Sequence, residues 1–262
     1  MAEKETKNKP KDMIEAVPEE IAKLPAPILA TIPESHNRRF DRRKREDPKE
    51  LLAAWVPKTE LGKEVKAGKL KDFDVILRDH KKILEEQIVD SVLNLESDLL
   101  LIGQAKGKFG GGKRRAWKQT QKKTMEGNVV TFACMAVVGD KQGHIGVGYG
   151  KAKETLPSRA KALRQAKLNV IKITRGYETQ EPAGSEPHTV PFNVSGKCGS
   201  IRIKLIPAPR GTGLVIGDEG KKILKLAGIK DVYAVTTGQT RTTFNLAKAV
   251  MDALTKTNEM KL

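Results

Sequence analysis

The clearest hydrophobic pattern lies in the middle of the chain, where its period changes from helical to strand-like and back. Apolar residues recur every three or four positions over Leu84–Leu99, which predicts an amphipathic helix. The segments Arg114–Lys123, Phe132–Val138 and Ile145–Tyr149 follow and are predicted to be strands. A second stripe at helical spacing consists of Leu156, Ala160, Leu163, Ala166 and Val170. The predicted order of elements is therefore α-β-β-β-α.

The last third of the chain shows a similar alternation of periods. Val190–Val194 and Ile201–Leu205 alternate as two strands joined by a glycine-containing turn. Glu219–Ala227 has helical spacing, and the glycine that follows it is placed as a C-terminal stop. Val232–Thr236 is predicted to be a strand and Thr242–Leu254 a helix. This region therefore has the order β-β-α-β-α.

These patterns predict an α+β protein with two small domains. Residues 80–175 form the first domain, whose element order is that of a double-stranded-RNA-binding domain. Residues 176–187 form a polar linker, and residues 188–262 form the second domain. Residues 1–79 are predicted to be an extended basic N-terminal arm and connector, with one short helix near Ile14–Leu24.

The net charge of the chain is large and unevenly distributed, which points to a class of binding partner. The 262 residues include 49 Lys and Arg against 32 Asp and Glu, a net charge of +17. Residues 103–128 carry eight basic side chains and one acidic one, and so do residues 151–175. Such clusters are typical of proteins that neutralise the phosphates of nucleic acids, although a solvated basic surface is the alternative. With only 11 aromatic residues, recognition of backbone and shape is favoured over base stacking as the main binding mode.

Two particular groups of basic residues could contact phosphates. Lys161, Arg164 and Lys167 lie three positions apart on one side of the second predicted helix. A second group is the arginine-rich segment Arg38–Arg45 in the N-terminal arm. It would either thread along nucleic acid or belong to a disordered tail.

Several other classes of protein are excluded by the sequence. The longest apolar run, Val129–Val138, is too short to span a membrane. The two cysteines cannot form a disulfide framework or a four-thiolate zinc site, and the N-terminus lacks an apolar signal core. These features predict a cytoplasmic protein that does not contact a membrane.

No catalytic or cofactor site is predicted. Gly107–Arg114 resembles a nucleotide-binding P-loop, but Arg114 stands where a Ser or Thr would hold magnesium. Gly211–Gly217 has one residue too many for a dinucleotide fingerprint and is interpreted as a tight turn. The four histidines are scattered and show no metal-ligand spacing. We therefore predict a protein that is not an enzyme and needs no cofactor.

Three glycines alternate along the second strand of the middle region, at positions 146, 148 and 150. Because alternate residues of a strand share a face, this face has no side chains. Another backbone could therefore approach closely, either from RNA or from the second domain. A site of strand twist or a bulge is the alternative.

Four segments resemble small-subunit ribosomal protein five, and three of them resemble its archaeal and eukaryotic branch. Gly139–Glu154 resembles the family signature, while Trp55–Gly62, Pro187–Phe192 and Leu205–Gly213 resemble the branch. The resemblance covers about residues 50–258.

The resemblance implies a structural protein of the small ribosomal subunit, with a left-handed βαβ crossover in its C-terminal domain. It also implies contacts with small-subunit ribosomal RNA and with small-subunit proteins four and eight. Messenger RNA would pass nearby where it enters the subunit, and the protein would affect assembly and decoding accuracy. The alternative function is a free double-stranded-RNA-binding regulator. A nucleotide-dependent enzyme is a third hypothesis, which the sequence favours much less.

The resemblance also indicates where RNA would be contacted. The loop joining the first two predicted strands of the middle region matches a family loop that reaches ribosomal RNA. Asn128, Val129 and Val130 stand there at positions that are commonly basic in the family, so the expected contacts move to Lys122, Lys123 and Lys113–Arg115.

The complete set of predicted rRNA-binding residues is Arg42, Arg43, Lys44, Arg45, Lys106, Lys108, Lys113, Arg114, Arg115, Lys118, Lys122, Lys123, Lys151, Lys153, Lys161, Arg164, Lys167 and Arg210. The glycines predicted to allow close packing are Gly146, Gly148, Gly150, Gly211 and Gly213.

Overall fold

A computed structural model describes residues 52, 54–70, 72–79, 81–104, 114–177 and 186–258. The described part contains helices and two β-sheets, which confirms the predicted α+β class. The helix predicted near Ile14–Leu24 lies outside the described residues. Within the described residues, no helix has the length and apolar character needed to cross a membrane.

The helices of the described part are α1 (Glu60–Lys66), α2 (Phe73–Arg78), α3 (Glu86–Val92), α4 (Thr155–Leu168), α5 (Asp218–Ala227) and α6 (Thr243–Lys256). Its strands are β1 (Glu96–Leu99), β2 (Trp117–Thr124), β3 (Gly127–Gly139), β4 (His144–Ala152), β5 (Val170–Lys172), β6 (Val194–Cys198), β7 (Ile201–Pro207), β8 (Leu214–Val215) and β9 (Val232–Thr237).

The first sheet is organised around the long strand β3. One half of β3 pairs with β2 and the other half with β1, both antiparallel and along the same edge. The opposite edge of β3 pairs with β4, which in turn pairs with β5. The predicted order α-β-β-β-α is present as α3, β2, β3, β4 and α4, with β1 and β5 as additional strands.

The first predicted helix is too long, because only its N-terminal half is helical. The chain leaves the helical conformation at Leu93, and residues Glu96–Leu99 pair with β3 as strand β1. Apolar spacing of three and four residues therefore continued by coincidence across a helix and a strand. Pairing with the free half of β3 gives the backbone N–H and C=O groups of this segment hydrogen-bond partners. The stability gained from this pairing outweighs the local helical pattern.

Helix α4 packs with a face that matches only part of the predicted stripe, of which Ala166 is buried and Leu163 is partly buried against the core. Its buried residues are Ser158, Ala162 and Ala166, whereas Leu156 is 66% exposed and Ala160 is also exposed. The reason lies in β4, since a Cβ added at Gly148 would lie 2.1 Å from the backbone nitrogen of Ala166. Only small side chains fit where a helix backbone approaches a sheet so closely.

The glycine face of β4 is therefore covered by the domain's own helix. A Cβ on Gly146 or Gly150 would lie 2.2 Å from a backbone oxygen of α4. The prediction of a close approach is confirmed, but its proposed partner, RNA or the second domain, was wrong. The same arrangement recurs in the second sheet, where Gly196 of β6 faces Ala249 and Ala253 of α6.

The second sheet has the strand order β6-β7-β9-β8 and carries α5 and α6 on one face.

The predicted strand over Val190–Val194 is wrong, since β6 begins at Val194 and Thr189 makes only an isolated bridge with Gly176. Pro191 has no backbone N–H to contribute to a sheet. The short strand β8 was not predicted, and it pairs parallel with β9. Gly228 ends α5 in the left-handed conformation, as predicted.

One hydrophobic core joins the two sheets. The face of β3 opposite α4 contributes Met135 and Val137 to the same buried cluster as Ile203 and Leu224. Close backbone packing continues the contact, because a Cβ on Gly139 would lie 2.3 Å from the carbonyl oxygen of Leu226. The two domains are therefore held by buried apolar surface as well as by polar contacts.

Described residues between 54 and 79 belong to the core of the first domain. Val65 of α1 and Phe73 of α2 are buried in one cluster with Ile88 and with the sheet residue Cys134. The resembling segment Trp55–Gly62 is anchored by Glu85, whose carboxylate accepts hydrogen bonds from the Trp55 indole and from two backbone N–H groups. The described part of the predicted connector is thus packed structure.

Candidate nucleic-acid interface

A cleft of about 900 Å³ opens between the two domains. Four basic residues line it, namely Arg114, Lys118 and Lys151 from the first domain and Arg241 from the second. The described residues that line the cleft include no Asp or Glu. Because no carboxylate of the described lining residues offsets these charges, the cleft has the electrostatic character of an anion-binding site.

The sheet register explains how three predicted residues meet in this cleft. Lys118 of β2 and Lys151 of β4 both pair with Ala133 of β3, so the two lysines flank a small residue in one row across the sheet. Thr120 and Tyr149 lie two positions along the same strands and therefore share this face. Strands are about 4.8 Å apart, which places the two lysine Cα atoms about 10 Å apart.

The second domain closes the cleft with the start of helix α6. Arg241, Thr242, Thr243 and Phe244 line this wall, and Arg114 donates a hydrogen bond of 3.1 Å to the Thr243 hydroxyl. The N-terminus of a helix carries a partial positive charge, which adds to that of the basic side chains.

The β2–β3 hairpin extends the basic surface away from the cleft. Lys122 and Lys123 are exposed beside the turn Thr124–Gly127, and Met125 at the tip is fully exposed. Because side chains alternate, Lys122 shares the face of Lys118, whereas Lys123 points to the opposite face. The hairpin thus carries cations on both faces.

The predicted helix residues form a separate group on the other face of the sheet. Lys167 forms an ion pair of 2.6 Å with Asp90 of α3, and the Arg164 Nε lies 3.9 Å from Glu86. Lys161 is exposed on the same helix. The charge of Lys167 is therefore offset within the protein, and the contact of these three residues with phosphates stays a prediction.

The remaining described candidates are distributed around the molecule. Arg115 lies 5.8 Å from the centroid of the Trp117 ring, in cation–π contact. Lys153 is exposed directly after β4, and Arg210 lies in the loop between β7 and β8. None of these three residues lines the interdomain cleft.

Seven predicted residues lie outside the described part of the chain, namely Arg42, Arg43, Lys44, Arg45, Lys106, Lys108 and Lys113. The last three belong to the segment 105–113, whose two flanking residues, Gln104 and Arg114, both line the cleft.

Gly211 and Gly213 do not pack closely against the protein. A Cβ added at either would meet no described atom within 4 Å, and their φ values are +86° and +72°. Their role is conformational, since the left-handed region favours glycine.

The turn that begins the resembling signature is held by a cluster of charged side chains. The His144 ring contacts Asp140 (Nδ1 to Oδ2, 2.5 Å) and Asp74 of α2 (Nε2 to Oδ1, 2.9 Å). Burial alone would lower the pKa of His144, but its hydrogen bonds to these two carboxylates outweigh burial and raise that pKa above its ordinary value. This cluster attaches α2 to the sheet and is structural.

The described residues contain no group of three or more His, Cys, Asp or Glu arranged to hold a metal ion.

Burial would likewise raise the pKa of the Asp74 and Asp140 carboxyl groups, but the hydrogen-bond partners of each group lower its pKa. Lys172 and His144 hold the pKa of Asp74 below its usual value. The side chain and backbone of His144 do the same for Asp140. The cluster is thus most stable when His144 is charged and both acids are ionised.

Arg241 and Tyr149 are residues of the cleft that sequence reasoning missed. A cation directly before a helix is disfavoured by the helix dipole, so Arg241 before α6 could have signalled a binding role. Tyr149 is an aromatic residue between two glycines, and it is 42% exposed although Gly148 and Gly150 beside it are buried. Its place in a cleft depends on the second domain and was not visible in the sequence.

Comparison with known proteins finds two matching family models and several similar curated proteins. Residues 116–174 match the family model "Ribosomal protein S5, N-terminal domain", and residues 196–261 match "Ribosomal protein S5, C-terminal domain". Among curated proteins named "Small ribosomal subunit protein uS5", that of Nanoarchaeum equitans is 46% identical over 212 residues, which are 80% of this chain and 91% of the relative. Those of Methanocaldococcus jannaschii and Methanospirillum hungatei are 43% and 44% identical, over 78% and 79% of this chain and 88% and 95% of the relatives.

Proposed function

This chain belongs to the ribosomal protein S5 family, and we propose that it is a structural constituent of the small ribosomal subunit. In this role it binds small-subunit ribosomal RNA and neighbouring ribosomal proteins in the cytoplasm. The observation that carries the proposal is the basic interdomain cleft, found in a chain whose curated relatives are named as small-subunit proteins. Family membership also supports a structural role over an enzymatic one.

The cleft supports RNA binding through the phosphate backbone. Lys118 and Lys151 are fixed at their Cα atoms by a paired sheet, so little backbone entropy is lost when they contact a ligand. Each lysine that neutralises a phosphate releases a condensed counterion, which makes binding strongly dependent on salt. The exposed lysines of the β2–β3 hairpin extend this surface to a second segment of RNA.

The topology supports the finer description of both domains. The order α3, β2, β3, β4, α4 supports a first domain of the double-stranded-RNA-binding type. In the second domain β8 and β9 are parallel and joined through α5, which supports the βαβ unit expected of the family. A left-handed crossover in this unit is part of the proposal.

The more specific partners rest on the family resemblance. They are small-subunit proteins four and eight, with messenger RNA passing near the point where it enters the subunit. Through these contacts the protein would support assembly and decoding accuracy. The basic arm before residue 52 would add further contacts with RNA.

Salt-dependent binding to a small-subunit rRNA fragment tests the proposal. If six or more phosphates are contacted, affinity should fall by about 10³ or more between 50 and 200 mM salt. The double variant Lys118→Gln with Lys151→Gln should lower the slope of log affinity against log salt by about one for each lysine. Lys204→Gln is a suitable control, because Lys204 is exposed on β7 and does not line the cleft.

Two outcomes would contradict the cleft as the RNA-binding site: a slope insensitive to salt, or equal losses from the cleft variants and the control. Assembly is tested separately by sedimentation of cell lysate. A structural constituent travels with the small subunit, whereas a protein found only in the unassembled fractions would refute the structural role.

A further inference from the structure

We propose that the interdomain cleft binds one unpaired nucleotide of RNA, with its base against Tyr149 and its phosphate on the neighbouring cations. This inference rests on the proposed function and adds to it the kind of RNA that the cleft recognises. It predicts a preference for RNA that carries an extruded nucleotide over fully paired RNA of the same length.

The position of Tyr149 is the first reason for the proposal. The ring lies on the cleft face of β4, two residues before Lys151, so their Cα atoms are about 7 Å apart. A base and its own phosphate are separated by one sugar, and this spacing suits an aromatic contact beside a cationic one. The described residues of the cleft offer no carboxylate that would repel the phosphate.

The rigidity of the ring is the second reason. Tyr149 contacts Phe244 of α6 edge-to-face, with centroids 4.7 Å apart and planes at 88°. The Lys248 ammonium lies 5.0 Å from the centroid of Phe244 and makes a cation–π contact with that ring. An aromatic ring held in this way loses little freedom when a base stacks on it.

The shape and remaining chemistry of the cleft are the third reason. A volume of about 900 Å³ lies within the range of sites that enclose small ligands. Gln104, Thr120 and Thr242 add amide and hydroxyl groups that can hydrogen-bond to the edges of a base or to a ribose. A continuous A-form duplex would use the cations but not the aromatic ring, because its bases are stacked inside the helix.

The test compares two RNA duplexes that differ by one bulged nucleotide. Stacking of one base on an aromatic side chain is worth about five- to 150-fold in affinity. The wild-type protein should therefore prefer the bulged duplex by at least about fivefold. Tyr149→Leu should bring the ratio of the two affinities to about one, and Tyr149→Phe, which keeps the ring, should preserve the preference.

Tyr233→Leu provides a matched control, because Tyr233 is 41% exposed on β9 and does not line the cleft. It should not change the ratio. As a readout that needs no variant, a 2-aminopurine placed as the bulged nucleotide should lose fluorescence on binding to the wild-type protein. Its emission should be restored when an excess of unlabelled bulged duplex displaces it.

The outcomes separate this inference from the proposed function. If both duplexes bind with the expected salt dependence but with equal affinity, the unpaired-nucleotide site is refuted and phosphate binding stands. Equal loss of preference in Tyr149→Leu and Tyr233→Leu would also refute it. If neither duplex binds and the rRNA fragment does not bind either, the proposed function itself fails.

Discussion

Adding one small side chain to β4 should separate a helix from the sheet. In Gly148→Ser the new Cβ would lie 2.1 Å from the backbone nitrogen of Ala166 and 2.2 Å from the carbonyl oxygen of Ala162. Both atoms belong to the backbone of α4, so no side-chain rotation can relieve the overlap. The helix must move, or the strand must bend away from it.

The size of the effect follows from these distances. Ordinary contacts of a Cβ begin at 3.4 Å, so the α4 backbone must recede by about 1.3 Å from its present 2.1 Å. Ser158, Ala162 and Ala166 are fully buried against the sheet and would lose their close packing. Overpacking a core costs typically 1–3 kcal/mol, and because the overlap is with backbone we expect about 3 kcal/mol or more of the free energy of unfolding. For a protein of this size such a loss lowers Tm by roughly 6–12 °C.

Thermal and urea unfolding of the full chain, followed by circular dichroism, measures this loss. Gly217→Ser is the matched control, since Gly217 is the N-cap of α5, has a φ of −59° and has no described atom within 4 Å of an added Cβ. Serine is a favourable N-cap residue, so the control should be neutral or slightly stabilised. If Gly148→Ser unfolds within 1 kcal/mol of the wild type, the close approach of α4 to β4 is wrong.

Two further predictions concern the attachment of the described residues 54–79. Because the pKa of His144 is raised in the folded protein, its charge contributes stability that is fully present below pH 6.5 and is lost as pH rises through the folded pKa. The unfolding free-energy difference between wild type and His144→Gln should therefore shrink between pH 6 and 9, and a constant difference would contradict this account. Glu85→Ala removes the acceptor of the Trp55 indole and the Thr59 N–H, and hydrogen exchange at Thr59 should become about tenfold faster or more. Unchanged exchange at Thr59, with β3 amides as the internal reference, would show that Glu85 does not anchor this segment.

Prediction succeeded for elements whose own sequence of apolar residues and turn residues indicates both their type and their ends. Phe132–Val138 is a continuous apolar run in the buried half of β3, and Ile145–Tyr149 of β4 alternates larger residues with glycines. The helix over Glu219–Ala227 ends at a glycine in the left-handed conformation. In these segments the hydrophobic pattern, the turn residues and the final pairing all agree, and prediction succeeded.

Prediction failed where a segment's partner was distant in the chain. Residues 96–99 continue a helical spacing but become a strand because half of β3 was left unpaired. On α4 the large apolar residue Leu156 is exposed, whereas Ala162 and Ala166 are buried, since three glycines of β4 set how near the helix comes. No periodicity within one segment can report the size of the side chains on the element that covers it.

For the candidate interface, too, the sequence indicated some features and the fold revealed others. The clustered charges at residues 103–128 and 151–175 indicated a polyanion partner, because the excess of positive charge depends on composition alone. Which cations act together depended on the fold. Lys118 and Lys151 meet across β3, whereas Lys167 is paired with Asp90 on the opposite face.

Residue types and their spacing along the chain were enough to predict the α+β class, most of the element order and the basic character of the protein, and its motifs indicated the family. The packing of α4 on the glycines of β4, and the cleft that Arg241 and Tyr149 complete with Lys151, could be found only in the folded molecule. These properties depend on which surfaces come together in space, and such contacts form between residues separated by tens of positions. Packing is settled by the combined shape and charge of both partners, while a local pattern describes one partner only.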